Sequence, residues 1–342
     1  MIPEIDISPL FGPAGSARSA ADAAILAAAT GAGFMTVFAA PGLLPLDAAA
    51  RAALLRIFAL GPAARAKLLR CSFAPGSPHL YRGWFPLQDN MRSYKEGIDL
   101  GPDIADPARA APAAGDPLLE PTPLPPEATL PGWRTAAATY YLAMEDLGAR
   151  LMRALARGLG VPEATFDAAF AGGISTLRLL HYPPRPPKSY AGLDAADAWA
   201  EYGGERRLVA GGTHRDSGFV TLLAQDGVAG LQALAADGTW RDVPPREGTL
   251  AVNFGLLLER WTGGRVKATW HRVLGTGAAR HSIPFFYEPR VDAVIRPLPL
   301  PLPGGMGFAP FSYGDHLWDA MTRFPEFRGL AGARAPRGVR AA

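Results

Sequence analysis

Histidine is scarce in this chain, with six in 342 residues, at positions 79, 181, 214, 271, 281 and 316. His214-Arg215-Asp216 sets an imidazole and a carboxylate at i and i+2, on one face of an extended segment, with Arg215 turned the other way. His271, 55 residues after Asp216 and within the strand-forming run 270–274, is placed to add a second imidazole. Two imidazoles and one carboxylate on one face of a metal leave three coordination positions open, the facial arrangement of non-haem Fe(II) oxygen chemistry. A single His-x-acid pair carries little weight, since six histidines and 31 acidic residues produce one by chance roughly half the time. A second cluster adds the weight. Nine residues after His271, Arg280-His281-Ser282 opens the next strand with Arg280 and Ser282 on a shared face. A guanidinium and a hydroxyl so placed can hold a carboxylate. Such an anchor beside a metal suits a 2-oxo acid whose other end chelates iron.

These residues need a scaffold. Before about residue 170 the texture is mostly helical, with short strand candidates: Ala-rich segments at 16–30 and 46–60 stop at Gly31 and Gly61-Pro62, and 133–159 shows apolar steps of three and four at Met144, Leu147, Leu151 and Leu155. Residues 101–132 hold nine prolines and no sustained period, and read as an ordered loop. After Gly173 come short strand-forming runs at 174–182, 219–224, 231–234, 249–253, 270–274 and 282–287, bounded by turns such as Asp226-Gly227 and Asp237-Gly238. Strands at this spacing predict a β-sandwich or barrel. A last amphipathic helix at about 312–324 is expected to cover the sheet. The expected organisation is one catalytic domain: a mostly helical region over 1–170, a β-core with the metal site over 171–292, and a strand, helix and tail over 293–342.

Composition sets the outer bounds. Hydrophobic residues make up 49% and charged residues 19%, which excludes a disordered or fibrous chain. The net charge of 34 − 31 = +3 is dispersed, so no nucleic-acid partner is expected. The uncharged stretch 23–46 is interrupted by Gly31, Gly33, Pro41, Gly42 and Pro45, which reads as a helix and a buried strand rather than a membrane span. The single cysteine, Cys71, stands outside any metal-ligand spacing. With acids at Glu4 and Asp6 where a secretory signal carries basic charge, a cytoplasmic location is expected.

The chain resembles the isopenicillin N synthase-like family of Fe(II)- and 2-oxoglutarate-dependent oxygenases over nearly its whole length. The likeness rests on Ile2-Pro3-Glu4-Ile5-Asp6, Leu179-Leu180-His181-Tyr182-Pro183-Pro184, His214-x-Asp216, His271-Arg272-Val273, Arg280-x-Ser282 and Tyr313-Gly314-Asp315-His316. It implies an α+β fold with a double-stranded β-helix, or jelly roll, wrapped by N- and C-terminal helices. By position it makes His214, Asp216 and His271 the iron ligands. It gives the distal carboxylate of 2-oxoglutarate to Arg280 and Ser282, with Tyr182 as an extra hydrogen-bond donor. Arg178, similar in place to an arginine near the substrate of ethylene-forming relatives, is a candidate for the substrate pocket. Arg82 and Trp84 lie in a segment resembling the one that contributes a substrate-binding arginine and aromatics. His79, His181, His281 and His316 are expected not to be ligands, and Phe254 and Trp261 to be core.

The implied reaction is oxidation of a small organic molecule by O2, as hydroxylation, desaturation or cyclisation, with release of succinate and CO2, by a monomer. Three other readings stand beside it: an oxidative cyclase that uses no 2-oxo acid, an ethylene-forming variant, and a non-catalytic jelly-roll binding protein. Departures from the family pattern are Ala39-Ala40-Pro41-Gly42 in place of Asn-His-Gly, Leu180 where plant members carry asparagine, and Gly255-Leu256 in place of Gly-Asp. None of them touches the expected ligands. The segment 183–213 is a candidate lid.

Overall fold

The computed structural model describes residues 2–298, 300 and 307–339, so parts of the expected 293–342 region lie outside the described residues. Thirteen of its strands form two sheets. The first contains β1 (Glu4–Asp6), β2 (Phe34–Phe38), β3 (Gly83–Phe85), β4 (Glu96–Leu100), β5 (Thr176–Tyr182), β8 (Val220–Gln225), β11 (Thr249–Phe254) and β13 (Arg280–Tyr287), in the order β1-β2-β11-β8-β13-β5-β4-β3. The second contains β6 (Trp199–Tyr202), β7 (Glu205–His214), β9 (Leu231–Leu234), β10 (Trp240–Asp242) and β12 (His271–Leu274), in the order β10-β9-β12-β7-β6. Every pairing in these sheets is antiparallel except β1 with β2. Phe34 and Ala251 of the first sheet pack with Leu231, Ala233 and Val273 of the second, so the sheets face each other over a common apolar layer. This is the jelly roll that the strand texture and the family resemblance imply.

The helices cover the outer face of the first sheet. The helix Trp133–Leu159 buries Met144, Leu147, Leu151 and Leu155, the stripe read from the sequence, and ends where Gly160 turns into the left-handed region. Its Tyr141 stacks edge-on against Phe285 of β13 and donates to the Ser175 carbonyl at 2.9 Å, which fixes the start of β5. Helix Ser16–Thr30 packs beside it, joined by the Arg157–Asp22 ion pair at 2.6 Å. Tyr313–Met321 is the expected C-terminal helix. Among the described residues no helix is long and apolar enough to cross a membrane.

Two regions gain detail that the sequence left open. The region before residue 101 contributes four strands to the first sheet, since β3 and β4 extend its far edge. And the candidate lid 183–213 runs into regular structure: Glu205–His214 is the longest strand of the second sheet and pairs with both β12 and β6. Arg185 ties the preceding segment down by donating to the carbonyls of Met91, Arg92, Val209 and Ser189.

Candidate active site

Strand pairing brings two of the expected ligands together. His214 ends β7, His271 opens β12, and the two are direct partners in the β7–β12 register. Their rings lie 4.2 Å apart between centroids. Asp216 follows in the turn out of β7, and its Oδ1 sits 3.6 Å from His214 Nε2 and 3.7 Å from His271 Nε2. The three donor atoms all lie within 4.8 Å of one another, the only such group of metal-binding type among the described residues.

The surroundings prepare these groups for a cation. His214 Nδ1 lies 2.8 Å from the Gly212 carbonyl and His271 Nδ1 lies 3.0 Å from the Thr269 carbonyl. A carbonyl accepts only, so each Nδ1 carries the proton and each Nε2 keeps its lone pair toward the centre. Asp216 Oδ2 accepts from Thr221 Oγ1 at 2.5 Å and from Asn253 Nδ2 at 2.7 Å, which leaves Oδ1 facing the imidazoles. Burial works against ionisation of Asp216, but the two imidazoles and these two hydrogen bonds outweigh it and hold its pKa below the usual carboxylate range. Surrounding protein, then the neighbouring His271, pushes His214 down to about 4, so it is neutral at physiological pH although half its side chain faces the open cavity. The donor set therefore fits a divalent metal. Sequence reasoning missed Thr221 and Asn253; the one signal for Asn253 was a polar residue near the end of the apolar run 249–254.

The expected co-substrate residues lie on adjoining strands of the first sheet. Arg280 faces Tyr182 across the β13–β5 pair, with its guanidinium carbon 5.4 Å from the centre of the tyrosine ring, and both line a cavity of about 530 Å³. Arg280 is 3% exposed; Nη2 donates to Gln225 Oε1 at 3.1 Å and Nε to the Val228 carbonyl at 3.3 Å, while Nη1 is buried with no partner. An orphaned guanidinium N–H in the interior is costly, and a carboxylate would satisfy it. Ser282, buried beside it on the same strand, pairs in register with Leu180 and Gln225. Gln225, which orients Arg280, is a second residue that the sequence did not single out.

His214 and Asp216 open onto a different cavity of about 350 Å³, whose walls include Tyr81, Arg178, Phe286, Glu288, Phe324 and Phe327. Arg178 is thus in the wall, held there by a two-point pair with Asp99 at 2.5 and 2.8 Å. Arg82 and Trp84 are not brought to this wall. Both are 1% exposed; Arg82 donates to Thr176 Oγ1 at 2.6 Å and to the Ile174 carbonyl at 2.8 Å, and Trp84 packs against Phe58. An arginine flanked by aromatics looks like a binding residue in sequence, but here it satisfies its donors on β5 and the backbone before it. His181 and His281 stack on each other at 4.7 Å, each with its own carboxylate, Glu96 and Asp226, apart from the triad.

The family model of the 2OG-Fe(II) oxygenase superfamily matches residues 175–289, the stretch that carries the triad and the Arg280 anchor. The chain is 32% identical over 327 residues to isopenicillin N synthase of Streptomyces clavuligerus, a match covering 92% of this chain and 93% of that protein. It is 30% identical over 313 residues to the 2-oxoglutarate-dependent dioxygenase citB of Monascus ruber, covering 87% of each. Among solved structures, a full-length Neurospora crassa protein in complex with alpha-KG and 5-formyluracil superposes with a TM-score of 0.75 at 26% identity, over 94% of this chain and 96% of that one. Similarity that runs the length of both chains, on a fold that brings these three donors together, makes this protein a member of the 2OG-Fe(II) oxygenase superfamily and an Fe(II)- and 2-oxoglutarate-dependent oxidoreductase.

Proposed function

We propose that His214, Asp216 and His271 hold Fe(II), that Arg280, Ser282 and Tyr182 receive the distal carboxylate of 2-oxoglutarate, and that the cavity walled by Arg178 and Phe286 admits a small organic substrate. Iron bound there supplies the redox chemistry that couples oxidative decarboxylation of the 2-oxo acid to oxidation of a substrate C–H bond. The chain's own part is to orient and to exclude water. Thr221 and Asn253 aim Asp216, the two backbone carbonyls fix the imidazole tautomers, and Gln225 aims Arg280. The observation that carries the reading is the convergence of two imidazole Nε2 atoms and one carboxylate oxygen with every other polar atom of those side chains already engaged. We take the chain to act as a single catalytic unit, a monomer in the cytoplasm.

Succinate release from 2-oxoglutarate and O2 by the Fe(II)-loaded protein tests this, beside a His214→Ala control. Turnover that disappears in the control is the expected result; none in either protein, with iron and 2-oxoglutarate both failing to bind, would sink the assignment. The same assay separates the proposal from an oxidative cyclisation that consumes no 2-oxo acid, the second reading that the 32% identical relative favours. In that case iron binds and 2-oxoglutarate does not.

A further inference from the structure

The wall of the substrate cavity carries four cationic side chains, Arg92, Lys95, Arg178 and Arg215. Three are matched to a carboxylate: Arg92 to Asp197 at 2.8 Å, Arg178 to Asp99, and Arg215 to Glu259 at 3.7 Å, with Arg215 also lying over the Trp270 ring at 4.8 Å. Lys95 has no ion-pair partner among the described residues. It is half-buried, and it stands immediately before β4 on a backbone that is stitched to the strand carrying His214. The Gly212 N–H donates to Ser93 Oγ at 3.1 Å, and the Tyr94 N–H donates to the Ala210 carbonyl at 3.2 Å. Arg185 clamps the carbonyls of Met91 and Arg92 from the other side. The ammonium is thus carried on a fixed base beside the triad, and its charge is felt at the His214 imidazole.

A partly desolvated cation with no ion-pair partner, in a cavity that water and solute can enter, is an unfilled half of a pair. We propose that Lys95 is the anion-recognition residue of this cavity, and that the substrate carries a carboxylate on an apolar or aromatic frame. This rests on the Fe(II)/2-oxoglutarate reading above. One flexible point charge suits a monoanion; a phosphate would call for several converging donors. The frame is set by the rest of the wall, where Tyr81, Phe286, Phe324 and Phe327 offer aromatic surface and Met91 and Met321 add adaptable apolar contact. A carboxylate on Lys95 would hold one end of such a molecule next to His214 while the frame lies against the aromatics.

The test uses the full chain loaded with Fe(II) and saturating 2-oxoglutarate under anaerobic conditions, so that the Arg280 anchor is already occupied. Benzoate, phenylacetate and 3-phenylpropionate, each beside its neutral amide, are titrated by calorimetry. At least one acid should bind about tenfold or more tighter than its amide, the worth of one charge-assisted hydrogen bond. Lys95→Met should erase that preference and Lys95→Arg retain most of it. Lys95→Gln serves where the methionine variant fails to fold, and the acid-to-amide ratio in the unmodified protein needs no variant. The proposal is overturned if no acid binds, if acids and amides bind alike, or if the preference survives Lys95→Met. Failure of the loading titrations themselves, with neither Fe(II) nor 2-oxoglutarate bound, overturns the parent reading and this one with it, and is seen before any acid is added.

Discussion

At the scale of single residues, the triad depends on atoms outside it. Asp216 has two equivalent oxygens and only one should face the imidazoles. Thr221 and Asn253 decide which, by occupying Oδ2. Removing such an orienting partner typically costs 10–100-fold in metal affinity. Asn253→Ala should therefore weaken Fe(II) binding by about that factor while leaving the far-ultraviolet circular dichroism unchanged; an unaltered dissociation constant would mean that Thr221 suffices alone. The Arg280 anchor is argued the same way from its orphaned Nη1. Lysine keeps the charge and loses the fork, so Arg280→Lys should raise the 2-oxoglutarate dissociation constant by about tenfold or more with iron affinity held. Equal 2-oxoglutarate affinity in the two proteins would show that charge alone is what the anchor provides.

At the scale of elements, the turn that carries Asp216 is held by the N-terminus of a short helix, Leu256–Trp261. The Leu256 N–H donates to the Asp216 carbonyl at 2.8 Å, the Gly255 N–H to the Phe219 carbonyl at 2.8 Å, and the Leu257 N–H to the Gly218 carbonyl at 3.1 Å. The free amides of the first helical turn thus fix the backbone of the ligand loop. The approach is close enough that a Cβ on Gly255 would lie 2.2 Å from the Gly218 carbonyl oxygen. Gly255→Ala should lower both the melting temperature and the iron affinity, whereas Leu256→Ala, which keeps the amide, should affect iron binding far less. Helix and ligand loop meet across about 40 residues of sequence, and in the sequence Gly255-Leu256 reads only as a departure from the plant pattern. The strands of the core were legible because β-branched and aromatic residues bounded by turns survive as a local signal, and Thr249–Phe254 falls within one residue of the expected 249–253. Strand β7 was not, because Glu205-Arg206-Arg207 and Gly211-Gly212 erase its apolar alternation and its stability comes from pairing on both sides. The triad was legible from residue types and order. Its supporting residues, scattered over β8 and β11, acquire meaning only when the sheet is assembled.

At the scale of the whole molecule, Glu288 joins parts that are far apart in sequence. It follows β13, its N–H donates to Ser175 Oγ at 3.0 Å, and from the cavity wall its carboxyl interacts with Arg178 of β5 in the same wall and, behind it, with Arg82 from the N-terminal region and Tyr313 of the C-terminal helix. Desolvation dominates there, and although Arg82, Tyr313 and Arg178 favour the anion, the pKa is pushed up from 4.5 to about 7. A carboxyl whose pKa is raised on folding binds more protons in the native than in the unfolded state between those two values. Its contribution to stability is accordingly complete at pH 4.5 and below and is lost as the pH rises to about 7, by an amount of up to about 3 kcal/mol. His214 has the opposite slope, because its depressed pKa makes the unfolded state the better proton acceptor between about 4 and 6.5. That term is common to the native protein and a Glu288→Gln variant and cancels in their difference. Urea unfolding of the metal-free proteins at pH 5 and pH 7.5 should show the native protein losing stability relative to Glu288→Gln as the pH rises. A difference that stays constant across this range would mean that Glu288 is ionised throughout and that Arg82 and Arg178 outweigh its burial.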